Sequence, residues 1–412
     1  IILEKITSRC IFNEVDKLIK NKNILLKIQK NNFEKPLHLI SDNIKILDKD
    51  RSQMLNPIKS FNINMKSKLK ILHIFNRAEK IGGRIYFIST GKKLENGFTR
   101  LGHDVEGLSD RDIVNYNPIT GKDVLNKILL EKAMYYRPDL ILMGHVHNIY
   151  NETYEKMKNI NKNVVISQWY EDNLTINGPD FQKNLNSLKT NFNNIDNFFI
   201  STHPDEVSEK NLNVNYQFLP TPVDRNIEKL NIYNNKTFIH DVFFAMSHGV
   251  NRGNIKSGKI DEREKFIKQM LKLNKDIKFD IYGFNQRNPV WSENFYSAIS
   301  NSPMAININR GKSKKYSSSN RIGSLMGNGL LTFMDNEKKF EHFFNKNEMI
   351  FFDNNRDLSD KLKFYKDNSH LRKKIARNGQ RKYFQLFNCI DIAKYIVERS
   401  MNPGGNYKPS WE

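Results

Sequence analysis

A run of hydroxyl and amide side chains beside an arginine is the sharpest chemical signal in this 412-residue sequence. The segment reads YSSSNRIGSLMGNGLL, and a helix is predicted to begin within it, over Ser319 to Gly327. Backbone N–H groups at a helix start, together with hydroxyls and a guanidinium, suit the oxygens of a diphosphate. The same cluster could simply cap the helix. The residues predicted to hold phosphate are Ser318, Ser319, Asn320 and Arg321.

Two pairs of acid–base residues follow predicted strands in the first half of the chain. His145 and His147 follow the apolar run LILM, and Glu171 and Asp172 follow the next strand. A histidine titrates near neutral pH and can remove the proton of an attacking hydroxyl, and the two carboxylates are rival bases. A histidine here could also be a packed or capping residue. No third ligand is spaced to join the histidines, so no metal site is predicted.

These candidates are predicted to lie at the carboxyl ends of parallel strands. Apolar runs alternate with amphipathic helical patterns from residue 68 onward, and a second alternating series begins near residue 241. In doubly wound α/β folds, ligands bind beyond the carboxyl ends of the strands. The pattern predicts two Rossmann-like domains, over 67–220 and 221–388. A helical extension over 1–66, a C-terminal helix from 389 and a loose tail after Pro403 complete the prediction.

The last third of the chain resembles glycosyltransferases of the GT-B fold, and most closely the spore-maturation-protein-like group related to the family-4 glycosyltransferases. That family carries Arg, an apolar residue, Phe, Glu, Ala, Met, Ala, a small residue and Gly. The positions that fit are Arg321, Ile322, Met326, Asn328 and Gly329. As an order of elements the resemblance spans residues 68 to 400. It implies two domains facing one cleft, with the nucleotide-sugar donor on the second, the acceptor on the first, and residues 389–412 packing back on the first.

Two carboxylates of the family are replaced in this sequence. The Glu that binds the donor ribose hydroxyls falls on Ser324, and its earlier partner in the retaining enzymes' Glu-x7-Glu motif falls on Tyr316. The resemblance therefore places Ser324 at the donor site. It does not support a retaining mechanism.

The resemblance also implies further donor-binding residues in the second domain. SHGVNRG, from Ser247 to Gly253, resembles the glycine-rich loop that meets the donor phosphates, where glycines let the backbone approach and an arginine neutralises charge. The loop after the next strand is where family members hold the nucleotide base, although core packing explains its tyrosine nearly as well. The residues concerned are His248, Gly249, Arg252, Tyr282 and Gly283.

The net charge of the chain indicates which classes of partner it can attract. Lys and Arg total 66 against 45 Asp and Glu, giving a net charge of +21, which attracts phosphates, nucleic acid or an anionic membrane. The excess is spread along a Lys- and Asn-rich chain with no compact nucleic-acid module, so nucleic acid is not expected. Peripheral contact with an anionic membrane stays open. Two cysteines and no apolar run of about 20 residues predict a cytoplasmic protein.

The function predicted is transfer of a sugar from a nucleotide-sugar donor to an acceptor hydroxyl, in cell-surface or secondary glycan synthesis. No cofactor or divalent metal is expected, because the resembled fold neutralises the diphosphate with helix ends and basic side chains. One alternative is a catalytically degenerate GT-B protein that binds a nucleotide-sugar or a glycan, since Ser324 and Tyr316 replace carboxylates. The other is a nucleotide-sugar epimerase, which would work without an acceptor.

Overall fold

The computed structural model describes residues 68–79, 86–146, 148–176, 178, 180–190, 192–207, 214–247, 261–311 and 315–412. Residues Lys68–Glu412 form one compact unit. Several predictions lie outside the described residues: the helical extension over 1–66 and the candidate site residues His147, His248, Gly249 and Arg252.

The first lobe of this unit is built on a six-stranded parallel sheet. Its strands run in the order β2-β1-β3-β4-β5-β6, and buried apolar residues fill both faces of the central strands. The strands are β1 (Lys70–Phe75), β2 (Asp104–Leu108), β3 (Leu140–Gly144), β4 (Val165–Tyr170), β5 (Asn197–Ile200) and β6 (Tyr216–Phe218). The helices between them are α1 (Thr90–Arg100), α2 (Asp110–Tyr116), α3 (Gly121–Tyr135), α4 (Asn151–Ile160) and α5 (Phe181–Lys189).

The second lobe is built on a five-stranded parallel sheet in the order β8-β7-β9-β10-β11. Its strands are β7 (Val242–Ala245), β8 (Phe279–Tyr282), β9 (Met304–Asn307), β10 (Leu331–Asp335) and β11 (Ile350–Phe352). The helices that follow β7 in the chain are α6 (Glu262–Leu273), α7 (Ser292–Ser300), α8 (Arg321–Gly327), α9 (Asn355–Asp367), α10 (Ser369–Phe387) and α11 (Cys389–Met401). Short 3-10 turns occur at Tyr86–Ile88, Pro204–Glu206, Ile232–Asn234, Asn336–Lys338 and Phe340–His342. The predicted fold class, α/β with two doubly wound parallel sheets, is confirmed.

The chain passes between the two lobes at two adjacent segments that hydrogen-bond to each other. The Val223 N–H donates to the Phe387 carbonyl at 2.9 Å, and the Cys389 N–H donates to the Val223 carbonyl at 2.8 Å. After the second crossing, α11 packs against α1 of the first lobe. The two helices touch at Gly97, where an added Cβ would lie 2.2 Å from the Cys389 carbonyl oxygen. This close backbone contact needs a residue without a side chain.

The prediction of a loose tail after Pro403 was wrong. Trp411 is only 5% exposed, and its ring lies 5.1 Å from Tyr395 and 6.1 Å from Phe387. The Ser410 hydroxyl donates to the Leu386 carbonyl at 2.9 Å. Burial of one large aromatic ring is enough to hold a short polar segment in place. Within the described part of the chain, no helix is both long and apolar enough to cross a bilayer.

Candidate active site

A cavity of about 440 Å³ lies where the carboxyl ends of the two sheets face each other. Its volume falls within the range usual for small-molecule sites. The first lobe contributes residues just before α1 and just after β4; the second contributes the end of β7, the approach to α7, and α8. The lining residues are Ile88, Ser89, Glu171, Asp172, Ala245, Met246, Ser247, Pro289, Val290, Trp291, Phe295, Ser319, Asn320, Arg321 and Ser324.

The predicted phosphate segment divides into residues inside and outside this cavity. Ser319, Asn320, Arg321 and Ser324 line it, whereas Ser318 does not, because its hydroxyl accepts a hydrogen bond from Asn307 Nδ2 at 2.9 Å. The capping interpretation does not hold for the Asn320 side chain, which makes no cap bond to α8. Instead, its Nδ2 crosses the cleft and donates to Glu171 Oε2 at 2.8 Å.

Arg321 carries a positive charge that its surroundings do not stabilise. Burial, together with the nearby charge of Arg263, lowers the pKa of its guanidinium to about 9, although Asp261 opposes the shift. Its Nη2 donates to the Ile308 carbonyl at 2.6 Å. A bound anion would stabilise the charged guanidinium, since opposite charge at close range favours the charged form.

Three residues that line the cavity each hold a buried donor atom with no hydrogen-bond partner among the described residues. The atoms are Trp291 Nε1, Ser319 Oγ and Arg321 Nε. Two are obligate N–H donors and the third can donate. Because a buried donor without a partner costs about 1–3 kcal/mol, these donors indicate a polar ligand rich in acceptor oxygens.

Glu171 and Asp172 occupy different positions at the end of β4. The pKa of Glu171 is raised, mainly by burial and further by the charge of Asp172. Hydrogen bonds from the side chains of Thr90 and Asn320 and the charge of Lys93 oppose this shift. Asp172 is exposed, and it lines both the cleft cavity and a second cavity in the first lobe. Of the predicted bases within the described residues, Asp172 alone borders both cavities.

His145 does not point its reactive nitrogen into the cleft. Its Nε2 accepts a hydrogen bond from the Glu171 N–H at 2.9 Å, which assigns the proton of the neutral ring to Nδ1. Nδ1 lies 3.7 Å from Asp172 Oδ2, and the ring stacks on Tyr170 with centroids 4.2 Å apart. The role predicted for His145, direct removal of the acceptor's proton, does not fit this geometry because the Nε2 lone pair is occupied.

Tyr282 and Gly283 do not line the cleft cavity. The Tyr282 ring packs 6.0 Å from Phe243 and lies under the Arg287 guanidinium at 3.7 Å, so the core-packing interpretation describes it better than base binding. Gly283 has φ +73°, and a Cβ there would lie 1.8 Å from the Met246 carbonyl oxygen. Its lack of a side chain therefore lets the loop approach Met246.

Tyr316, at the position of a family carboxylate, also lies outside the cavity. Its ring contacts His342 at 5.2 Å and Phe343 at 4.6 Å, in an aromatic cluster between the lobes. Residues that the sequence did not single out do line the cavity, notably Pro289, Val290 and Trp291. Among the described residues, no group of three or more His, Cys, Asp or Glu is arranged to hold a metal ion.

Comparison with known proteins places this site in context. Residues 262–398 match the family described as glycosyl transferase-like. No curated protein sequence matches the chain. One similar solved structure is an alpha-glucosyltransferase in complex with UDP and a 13-mer DNA containing a HMU base, with TM-score 0.55, 11% identity, and coverage of 81% of this chain and 99% of that one.

Two further structures are similar. An alpha-glucosyltransferase in complex with UDP-glucose and DNA containing an abasic site has TM-score 0.54 and 11% identity, covering 81% of this chain and 99% of that one. A sucrose-phosphate synthase from Thermosynechococcus elongatus has TM-score 0.49 and 10% identity, covering 80% and 98%. The two glucosyltransferases confirm the predicted GT-B fold, and the family match confirms the predicted glycosyltransferase class. The narrower resemblance to the spore-maturation-protein-like group stays a prediction.

Proposed function

We propose that this chain, a glycosyltransferase of the GT-B fold, moves a sugar from a nucleotide diphosphate donor in the cleft cavity to a hydroxyl group of an acceptor. The observation that carries the proposal is the set of three buried donor atoms without partners among the described residues, one of which belongs to the guanidinium of Arg321, whose charged form burial destabilises. Donor diphosphate oxygens would satisfy both features at once.

In this proposal the donor diphosphate binds Arg321 and Ser319, and the indole N–H of Trp291, which lines the same cavity, is a third donor. Ser324 stands at the family's ribose-binding position, lines the cavity and is 5% exposed. Its single hydroxyl can replace at most part of what a carboxylate offers a ribose. Binding of UDP and UDP-glucose by the two glucosyltransferases of the same fold supports a nucleotide-sugar as the ligand. The proposal includes no metal and no further cofactor.

Asp172 is proposed as the base that accepts the acceptor's proton. As the acceptor oxygen forms its bond to the anomeric carbon, the bond from that carbon to the diphosphate oxygen breaks, and the hydroxyl proton passes to Asp172. The negative charge that develops on the departing diphosphate is stabilised by Arg321. His145 is a positioning residue here, because its Nδ1 faces the Asp172 carboxylate at 3.7 Å. Glu171 holds the two lobes in register through Asn320.

The second candidate function is a degenerate protein that binds a nucleotide-sugar without transferring it. The observation in its favour is that Ser324 occupies the donor cavity at the place of the family's ribose-binding carboxylate. A panel of UDP-, GDP-, ADP- and CMP-linked sugars, incubated with mixed saccharide acceptors, separates the alternatives. Release of the nucleoside diphosphate together with a glycosylated product supports the transferase. Donor binding without any turnover supports the binding protein, and conversion of the donor sugar alone supports an epimerase.

The acceptor, the glycan pathway, the cytoplasmic location and contact with an anionic membrane stay predictions. Exclusion of nucleic acid is equally untested, and the two glucosyltransferases of the same fold were solved with DNA. Polynucleotide binding that falls steeply with salt would contradict the exclusion.

A further inference from the structure

A second cavity, of about 770 Å³, lies in the first lobe beside the proposed donor site. It is bounded by the ends of β3 and β4, the start of α2, and α5. Asp172 lines this cavity as well as the cleft cavity, so the two spaces adjoin at the proposed base. A molecule held here can therefore bring a hydroxyl group to Asp172.

The walls of the second cavity combine the groups that bind carbohydrates. Exposed amide and hydroxyl side chains line it, namely Asn148, Asn186 and Thr190. Amides and hydroxyls can both donate and accept hydrogen bonds, as sugar hydroxyls require. Its volume falls in the range of small-molecule sites and exceeds that of the cleft cavity.

The cations and the carboxylates of the second cavity differ in their pairing. Its two carboxylates each have a nearby basic group: Asp180 pairs with Arg310 at 3.2 Å, and Asp172 lies 3.7 Å from His145 Nδ1. Its two cations, Arg111 and Lys183, have no carboxylate within 4 Å in the part of the chain that the structure describes. Two cations without a carboxylate partner favour an anionic ligand, since opposite charge at close range stabilises the charged form.

Arg111 is also incompletely hydrogen-bonded. Its Nη2 donates to the His145 carbonyl at 3.0 Å, which anchors the guanidinium at the end of β3. Its Nε is buried and has no hydrogen-bond partner among the described residues. A guanidinium presents paired N–H donors that match a carboxylate or a phosphate. The Arg111 guanidinium therefore has hydrogen-bond donor capacity left for one anionic group of a ligand.

We propose that the second cavity is the acceptor site and that the acceptor is a saccharide carrying an acidic group, which Arg111 and Lys183 bind while Asp172 receives the proton of its hydroxyl. The acceptor role of this saccharide rests on the proposed transferase function. Binding of an acidic saccharide in the cavity does not depend on it. Carboxylate and phosphate share the chemistry that the cavity recognises, and separate probes distinguish them.

The test is calorimetric binding to the full chain of glucuronic acid, glucose 6-phosphate and glucose, each with and without UDP. We expect at least one acidic saccharide to bind about tenfold more tightly than glucose, as a charge-assisted contact implies. Arg111→Gln should abolish that preference and Arg111→Lys should restore part of it. Lys127→Gln on the exposed face of α3 removes the same charge outside both cavities and should leave the preference intact.

The two proposals fail separately in this experiment. If UDP binds while neither acidic saccharide binds better than glucose, the acidic-acceptor proposal is overturned and the donor site stands. If none of UDP, GDP, ADP and CMP binds, the proposed transferase function is contradicted. The saccharide titrations without nucleotide still test the acidic-ligand assignment of the second cavity. A preference that survives Arg111→Gln unchanged would overturn the assignment to this cavity. Retained UDP affinity in Arg111→Gln shows that the variant is folded.

Discussion

The two lobes of this molecule meet at two places that differ in their chemistry. One is the hinge side, which we define as the two chain crossings at Val223 and Cys389 with the adjoining helices α1 and α11. There Lys93 Nζ lies 2.6 Å from Glu228 Oε1, and the side chains are 3% and 0% exposed. At the mouth of the cleft, Arg310 pairs with Asp180 at 3.2 Å with the side chains 35% and 53% exposed. Lys315 of the second lobe pairs with Asp205 of the first lobe, and both side chains are also partly exposed.

The difference separates residues that hold the fold from residues that await a ligand. A buried pair is costly to break, because the remaining partner stays in a low-dielectric environment without compensation. An exposed pair adds little to stability and can open. Residues of the cleft wall also hold buried polar atoms that have no hydrogen-bond partner among the described residues. On the hinge side, by contrast, the Lys93 ammonium has a second partner, because it also donates to the Pro222 carbonyl at 3.2 Å. Substitutions on the hinge side should therefore change stability, and those in the cleft should change function.

Lys93→Met should have the largest effect on stability. It leaves the Glu228 carboxyl, whose pKa burial already raises, without its cation, so we expect a loss of about 3–5 kcal/mol in the free energy of unfolding. Urea denaturation measures this loss. The double variant Lys93→Met with Glu228→Gln should recover part of it, because no buried charge is left alone. If the unfolding free energy of Lys93→Met lay within about 1 kcal/mol of wild type, the buried pair would not stabilise the hinge side as described.

Asp172→Asn should have the largest effect on turnover with little effect on stability. Removing a general base costs roughly 10²- to 10⁴-fold in kcat, and UDP affinity should stay close to that of wild type. The assay is product formation with the donor identified in the sugar panel. Asp360→Asn, on the exposed face of α9, makes the same chemical change away from the cleft and serves as the control. Unchanged kcat in Asp172→Asn would remove this residue from the mechanism.

Gly97→Ala tests the close contact between α1 and α11 on the hinge side. The new Cβ would lie 2.2 Å from the Cys389 carbonyl oxygen, so α1 and α11 must separate, and we expect a loss of about 1–3 kcal/mol in unfolding free energy. Gly404→Ala is the matched control, because nothing lies within 4 Å of its added Cβ. Equal stability of the two variants would show that the helices are not in close contact.

Arg310→Gln should have the smallest effect on stability. Its exposed pair with Asp180 is worth about 1 kcal/mol or less, and the difference from wild type should shrink further in high salt. Arg100→Gln is the counterpart on the hinge side. Arg100 Nη1 lies 2.8 Å from Asp224 Oδ1, and the Asp224 side chain is fully buried. Thermal unfolding should rank Arg100→Gln clearly below Arg310→Gln, and the reverse order would refute the distinction between the two interfaces.

Local patterns in the sequence were enough to predict the alternating architecture. Apolar runs such as Leu140 to Met143 are buried on both faces of a parallel sheet, and the run itself identifies the strand. The phosphate segment was found for a similar reason: Ser319 to Arg321 and Ser324 are close in sequence and line one wall.

What the sequence could not show depends on contacts between distant residues. The Nε2 of His145 is occupied by the Glu171 N–H, 26 residues away, and only the folded sheet brings them together. Trp291 lies just before α7 without any local pattern that marks a ligand site. Trp411 sits in a polar tail, and its burial requires the distant rings of Tyr395 and Phe387.

The most direct measurement is binding of UDP, GDP, ADP and CMP to wild type and to Arg321→Ala, read as a shift in unfolding temperature and confirmed by calorimetry. A ligand that binds only the folded chain must raise its stability, so we predict that one nucleotide gives a clear shift. Arg321→Ala should weaken that binding about tenfold or more, whereas Arg356→Ala on α9 should not. No shift with any nucleotide, or equal affinity in Arg321→Ala, would contradict the donor site.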